Sequence, residues 1–301
     1  MSKDSFMVNP SRRRGAALTV LLCLFPFMAL SAVFIVQPFV RTAIVSVWQG
    51  YDLLDDREFV FSLSNYRQLM KDEWFRQGIL NTLRYTLWAV PGMLAVGMAV
   101  SLAMNAMKGR IMRRLVLVAL FLPMITSGSA IGYSWRYMFH ERIGLINYLL
   151  SIPGVKAIRW LSDIRVTMTT LLIFGIWRGT PLTTLLLYTG LSEIDPHLIE
   201  AAEIDGASKG QAVLHIIIPL WSGTILAACV INAIGSLKLF DELFYLFQGK
   251  PGPYYNMNTI IYYIYENMRM PRSVNLASAA SMVLVTPVIL LGLLRRRNSR
   301  R

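Results

Sequence analysis

The charged side chains of this sequence gather in two places where they can act on something else. Five carboxylates, Glu193, Asp195, Glu200, Glu203 and Asp205, crowd a stretch between two long apolar runs that carries a single lysine, Lys209. Such a cluster offers charge-assisted hydrogen bonds to a basic groove on a soluble partner. Arg178 instead stands near the middle of an apolar run, where a charge costs roughly 2.5–3.5 kcal/mol to insert. Its neighbours Gly175, Trp177, Gly179, Thr180 and Pro181 predict an interrupted helix whose backbone faces a protein interior or a water-filled cavity. Asn232, Gly235, Ser236 and Lys238 form a second polar stripe at helical spacing. With Trp177 or Tyr188 as a flat aromatic face, these amide and hydroxyl groups could line a cavity. The same small and polar residues would also serve as packing between helices. Both readings stand at this point.

Bond-making chemistry finds little support. The three histidines, His140, His197 and His215, have no metal-ligand spacing. Gly249-Lys250 is followed by proline and lacks the earlier glycine of a phosphate-cradling loop. Cys23 and Cys229 both fall in apolar runs and suggest neither a disulfide framework nor a metal site. The expectation is therefore no catalytic residue, no metal and no cofactor bound by this chain.

The elements that must position these groups are membrane spans. The chain is 55% hydrophobic, with a mean hydropathy of +0.48, and its apolar runs are long enough to cross a bilayer. Hydropathy predicts an all-α integral membrane protein with six transmembrane helices at roughly 17–45, 78–104, 112–138, 166–190, 217–240 and 273–294. Residues 15–294 form one six-helix transmembrane domain, flanked by tails 1–14 and 295–301 that meet anionic lipid headgroups. The first apolar run continues without a small-residue cleavage pattern and reads as an uncleaved span. Arg12-Arg13-Arg14, Lys108, Arg110, Arg113, Arg114 and Arg295-Arg296-Arg297 flank spans, which places both termini in the cytoplasm and accounts for the +13 net charge. Nucleic-acid binding would want those charges on one soluble face, and it is excluded. Segments 49–77, 139–165 and 241–272 become outer loops, while 105–111 and the acidic loop 191–216 lie inside. Within the acidic loop, Asp195 caps a helix with Pro196 at its first position. Gly206 supplies the left-handed turn that ends it, and Ser208 with Gln211 opens the next as a capping box.

Glu200-Ala201-Ala202, then Asp205-Gly206-Ala207-Ser208, then Ile218-Pro219-Leu220 resembles the signature loop of the permease subunits of binding-protein-dependent ABC importers. The likeness extends over nearly the whole chain. It includes Leu63-Ser64-Asn65-Tyr66, Asn81-Thr82-Leu83, Gly144-Leu145-Ile146-Asn147 with Trp160-Leu161, Ser236-Leu237-Lys238-Leu239-Phe240-Asp241 and Thr259 with Tyr262-Tyr263-Ile264-Tyr265. These spellings are similar to carbohydrate permeases, nearest to the maltose-type, MalF-like half of the pair. Gly249-Lys250-Pro251-Gly252-Pro253 and Asn275-Leu276 depart from the family pattern near the outer side, which bears on the identity of the solute.

The resemblance implies a type I ABC importer permease fold in the bacterial cytoplasmic (inner) membrane. It implies a heterodimer with a second, homologous permease, two ATPase subunits that use ATP and Mg, and an extracytoplasmic solute-binding protein. Glu200, Ala201, Ala202, Asp205, Gly206 and Ser208 would form the ATPase-coupling loop. Trp177, Arg178, Gly179, Asn232, Gly235, Ser236 and Lys238 would line the pathway of a carbohydrate. A glycerol-phosphate, polyamine or amino-acid permease is the nearer alternative, and an ion-coupled secondary transporter the more distant one.

Overall fold

The computed structural model describes residues 22–298, less 53, 55–57 and 108. The N-terminal tail with Arg12–Arg14, the start of the first span, Lys108 and residues 299–301 lie outside the described residues. Five helices are long and apolar enough to cross a membrane: α1 (Leu22–Ser46), α3 (Glu73–Ala106), α7 (Thr167–Ser192), α9 (Lys209–Leu237) and the apolar body, Pro271–Leu293, of the last helix. That last helix, α12 (Val274–Asn298), runs past the boundary expected at 294. The shorter helices are α2 (Ser64–Lys71), α6 (Leu145–Ser151), α8 (Pro196–Ile204), α10 (Asp241–Leu246) and α11 (Ile260–Met268). The segments expected as outer loops thus carry helices of their own.

The third span departs from the continuous helix expected over 112–138. It is two helices, α4 (Arg110–Ile125) and α5 (Gly128–Met138), bent by 103°. Pro123 lies in the last turn of α4, and Thr126 and Ser127 take extended backbone with ψ of 145° and 133°. The Thr126 hydroxyl donates to the Leu122 carbonyl at 2.9 Å, answering a group that a continuing helix would have bonded. Pro123 followed by Thr-Ser-Gly-Ser is the punctuation that marks this break.

The closest packing joins α3 to α7, and glycines make it possible. The Tyr85 hydroxyl packs on Gly175, the Met93 sulfur on Gly179 and the Thr183 methyl on Gly97, each at a spot where a Cβ would collide. Without a hydrophobic driving force inside a bilayer, such backbone approach is what holds helices together. Polar bonds add register: Ser101 donates to the Thr184 carbonyl, and the buried Trp221 indole of α9 donates to the Leu187 carbonyl at 2.9 Å.

Three asparagines staple the connecting segments. The Asn147 side chain engages Glu141, Ile158 and Trp160, closing the segment between α5 and α7. The Asn81 amide donates to the carbonyls of Asn256 and Asn258, tying the segment before α11 to α3. The Asn65 amide donates to the Ser46 and Trp48 carbonyls, and its oxygen accepts from Asn275. Asn275, one of the departures from the family spelling, therefore has a structural partner. These bonds satisfy buried groups that would each be costly if left unmade.

The α3–α7 contact generates a prediction. Gly175→Val drives a side chain into Tyr85 and should cost about 1–3 kcal/mol, lowering the thermal midpoint of the detergent-solubilised protein by several degrees. Gly223→Ala, where a Cβ meets nothing within 4 Å, should leave it unchanged.

Candidate functional site

Burying Arg178 demands a counter-charge, and the structure supplies it from a distant stretch of sequence. Arg178 Nε lies 3.2 Å from Glu242 Oε1, with the two side chains 29% and 21% exposed. Glu242 stands in the first turn of α10, the short helix that follows α9. The guanidinium also packs over Gly128 at the α4–α5 corner, where a Cβ would lie 3.1 Å from one terminal nitrogen. One cation thus ties α7, α10 and the broken third span together.

The pair forms part of the wall of a cavity of about 390 Å³ bounded by α3, α4, α7, α9 and α10. That volume lies within the range of about 300–1,000 Å³ typical of small-molecule sites. Its polar lining is Arg178 and Glu242 with Asn232, Ser236 and Tyr85, and its small residues are Gly175, Gly179 and Gly235. Asn232 is committed to packing as well, since its amide and the Thr183 hydroxyl bond across α9 and α7 at 2.9 Å. The Ser236 hydroxyl is buried and has no protein partner among the described residues. It is a group that a solute hydroxyl can satisfy.

Two of the expected pathway residues do not line this cavity. Trp177 turns away, its ring 5.0 Å from that of Trp135 and stacked against Phe174. An aromatic residue one position before Arg178 sits about 100° round the helix from it. Lys238 is the exposed C-cap of α9, and it makes no ion pair with Asp241 among the described residues. Tyr188 is also absent from the lining, where Tyr85 supplies an aromatic ring. Sequence reasoning missed Glu242 and Tyr85, and the requirement of Arg178 for a partner was the signal pointing to the first.

The acidic loop lies at the other end of α9. Asp195 accepts from the His197 amide at 3.0 Å with Pro196 at the first helical position, so α8 is capped. Gly206 has φ +84°, a conformation that favours glycine. Ser208 and Gln211 exchange both bonds of a capping box. Glu200 is exposed, with the His197 ring nitrogen 3.2 Å from its carboxylate. Ala201 is also exposed, whereas Ala202 is buried. The exposed apolar companions of Glu200 are Leu198 and Ile204, the latter 87% exposed. Asp205 and Ser208 are exposed at the bend.

Comparison with known proteins agrees with this architecture. The family described as binding-protein-dependent transport system inner membrane component matches residues 74–301. The chain is 30% identical over 267 residues to the trehalose/maltose transport system permease protein MalF of Thermococcus litoralis, covering 88% of each. It is 29% identical to the lactose transport system permease protein LacF of Rhizobium radiobacter, covering 90% of each. A bacterial alginate ABC transporter, solved in complex with an alginate pentasaccharide-bound periplasmic protein, contains a chain of the same fold. That chain superposes with a TM-score of 0.82 at 20% identity, covering 96% of each.

The pair in the cavity wall sets up a double-mutant cycle. Glu242→Leu should destabilise by about 3–5 kcal/mol, because it strands a buried cation, while Arg178→Met with Glu242→Leu should recover most of the loss. Denaturation midpoints of these two variants and of Arg178→Met alone measure the coupling. Additive losses would show that the charges do not depend on each other.

Proposed function

Because the chain belongs to the family of binding-protein-dependent transport system inner membrane components, we propose that it is the membrane-spanning subunit of an ATP-driven sugar importer. It forms half of the translocation pathway, beside a second, homologous permease. Two ATPase subunits, which use ATP and Mg, dock from the cytoplasm, and an extracytoplasmic solute-binding protein docks on the opposite face. This chain binds no cofactor, and both of its termini lie in the cytoplasm of a bacterial cell.

The observation that carries this reading is the placement of α9. Its first turn is capped inside the acidic loop, and its last turns carry Asn232, Gly235 and Ser236 into the cavity wall. A helix of 29 residues is about 43 Å long at 1.5 Å per residue, enough to link one membrane face to the interior. Closure of an ATPase dimer displaces Glu200 and the α8 surface, and α9 transmits that displacement to the cavity. Alternating access follows as a rigid-body change between two packings of the helices. The loop is a lever, with Gly206 as its bend, and it performs no chemistry.

A carbohydrate suits the cavity because its lining offers hydroxyl, amide and carboxylate groups with one aromatic ring. The named relatives that transport trehalose or maltose and lactose support the same class. Glycerol-phosphate, a polyamine or an amino acid is the alternative substrate, and an ion-coupled mechanism the remaining rival. Arg178 would favour an anion if free, but Glu242 engages it.

Glu200→Lys should abolish solute-driven uptake and weaken ATPase-subunit binding while leaving membrane insertion intact. Normal uptake in that variant would sink the lever. The class of solute is read from ATP hydrolysis by the reconstituted complex against sugars, polyols and amino acids. Stimulation by a carbohydrate is expected, whereas a response confined to an amino acid or polyamine would replace the sugar reading.

A further inference from the structure

Arg136 presents a charge that the cavity and the acidic loop leave unexplained. It lies in the last turn of α5, one turn beyond Gly132, whose missing side chain lets Tyr245 of α10 pack directly on the helix. Residues four apart share a helix face, so Arg136 is directed toward α10 and the segment that follows it. Its Nη1 is buried and has no hydrogen-bond partner among the described residues. An unanswered buried nitrogen on a guanidinium calls for a ligand.

Arg136 lines a pocket of about 170 Å³ whose floor is Leu161, Leu246 and Phe247 and whose rim carries Gln248 and Lys250. The rim is held in place. Gln248 sits in the left-handed region at φ +56°, which a residue with a side chain seldom adopts without reason. The Gly249 amide donates to the Phe244 carbonyl at 2.7 Å, and the Tyr262 hydroxyl donates to the Gly249 carbonyl at 2.9 Å. Two cations therefore converge on one small opening, and neither meets a carboxylate within 4.0 Å among the described residues. The volume falls below the range of about 300–1,000 Å³ for pockets that enclose a whole small molecule. It suits a single functional group, and the planar guanidinium fork matches a carboxylate.

We propose that Arg136, Gln248 and Lys250 form an anchor pocket for one carboxylate side chain of the extracytoplasmic solute-binding protein. The proposal rests on the importer reading. The pocket lies past the far end of α9 from the acidic loop, on the face opposite the ATPase side. The segment after α5, which contributes Leu161 to the pocket, carries further positive charge. Glu141 and Asp163 pair with Arg159 and Arg165, leaving Arg142 and Lys156 of the same segment without an ion-pair partner among the described residues. Cations are disfavoured in short outer loops, and an acidic docking partner gives their presence a use.

The test uses the whole complex in lipid nanodiscs, with the solute-loaded binding protein that stimulates its ATP hydrolysis. Arg136→Gln should weaken binding of that protein about tenfold and Lys250→Gln several-fold, each with a flatter salt dependence. Hydrolysis at saturating binding protein should stay within twofold of wild type. Carbodiimide activation should join Lys250 to one aspartate or glutamate of the binding protein, located by mass spectrometry. Exchanging the two charges between partners should restore affinity. Unchanged affinity in both variants, with no such cross-link, overturns the anchor. Loss of a co-purifying phospholipid from Arg136→Gln with unchanged affinity overturns it too, making the pocket a headgroup site. Unchanged affinity with hydrolysis abolished at saturation shows a structural role and overturns it as well. A wild-type complex that no binding protein stimulates fails the importer reading itself, and the anchor falls with it.

Discussion

One buried charge organises this molecule. Arg178 is placed where the bilayer offers no water to solvate it, so the fold must answer it from within. Glu242 does so, which requires α10 to turn back against α7 after the chain has left the fifth span. The α4–α5 corner must come close as well, and Gly128 leaves room for the guanidinium there. A cavity results because three elements converge on a cation without filling the space around it. The Arg178–Glu242 pair thus stands in the wall of that cavity beside Asn232, Ser236 and Tyr85.

The second constraint is mechanical. α9 follows the acidic, solvent-facing segment directly and ends in buried polar groups, and glycines fasten α3 to α7 beside it. A continuous helix fixed to a closely packed partner moves as one body, without local unfolding. The asparagine staples at Asn65, Asn81 and Asn147 keep the opposite end ordered, so motion at one end is not lost in slack connections.

What could be read in the residues depended on how local the determining interaction was. The α8 cap at Asp195, the turn at Gly206 and the box at Ser208 and Gln211 involve partners within three residues, and the sequence contains the whole device. The five unbroken spans were legible from their hydropathy. The third was mistaken for one helix because its apolar average outweighed the Pro-Thr-Ser-Gly punctuation at its centre. The need of Arg178 for a partner was legible, but the identity of Glu242 was not, since it depends on the return of a short helix 64 positions later (242 − 178 = 64). The orientation of Trp177, Ala202 and Lys238 turned on which helix face meets which neighbour. Spacing alone does not settle that.

The separation between Arg178 and Glu242 also has a consequence in time. The chain is made from its N-terminus, at about 5–20 residues per second. Sixty-four residues separate the cation from its counter-charge, so about 3–13 seconds pass between their syntheses. Through that interval the seventh helix must be held by the insertion machinery or by early contacts with the third helix, whose glycines are already in place. Biogenesis is therefore exposed at one step, in which a half-made protein carries an unanswered charge at the bilayer midplane. The charge is answered only when Glu242 arrives, and in the finished fold that same carboxylate is part of the cavity wall.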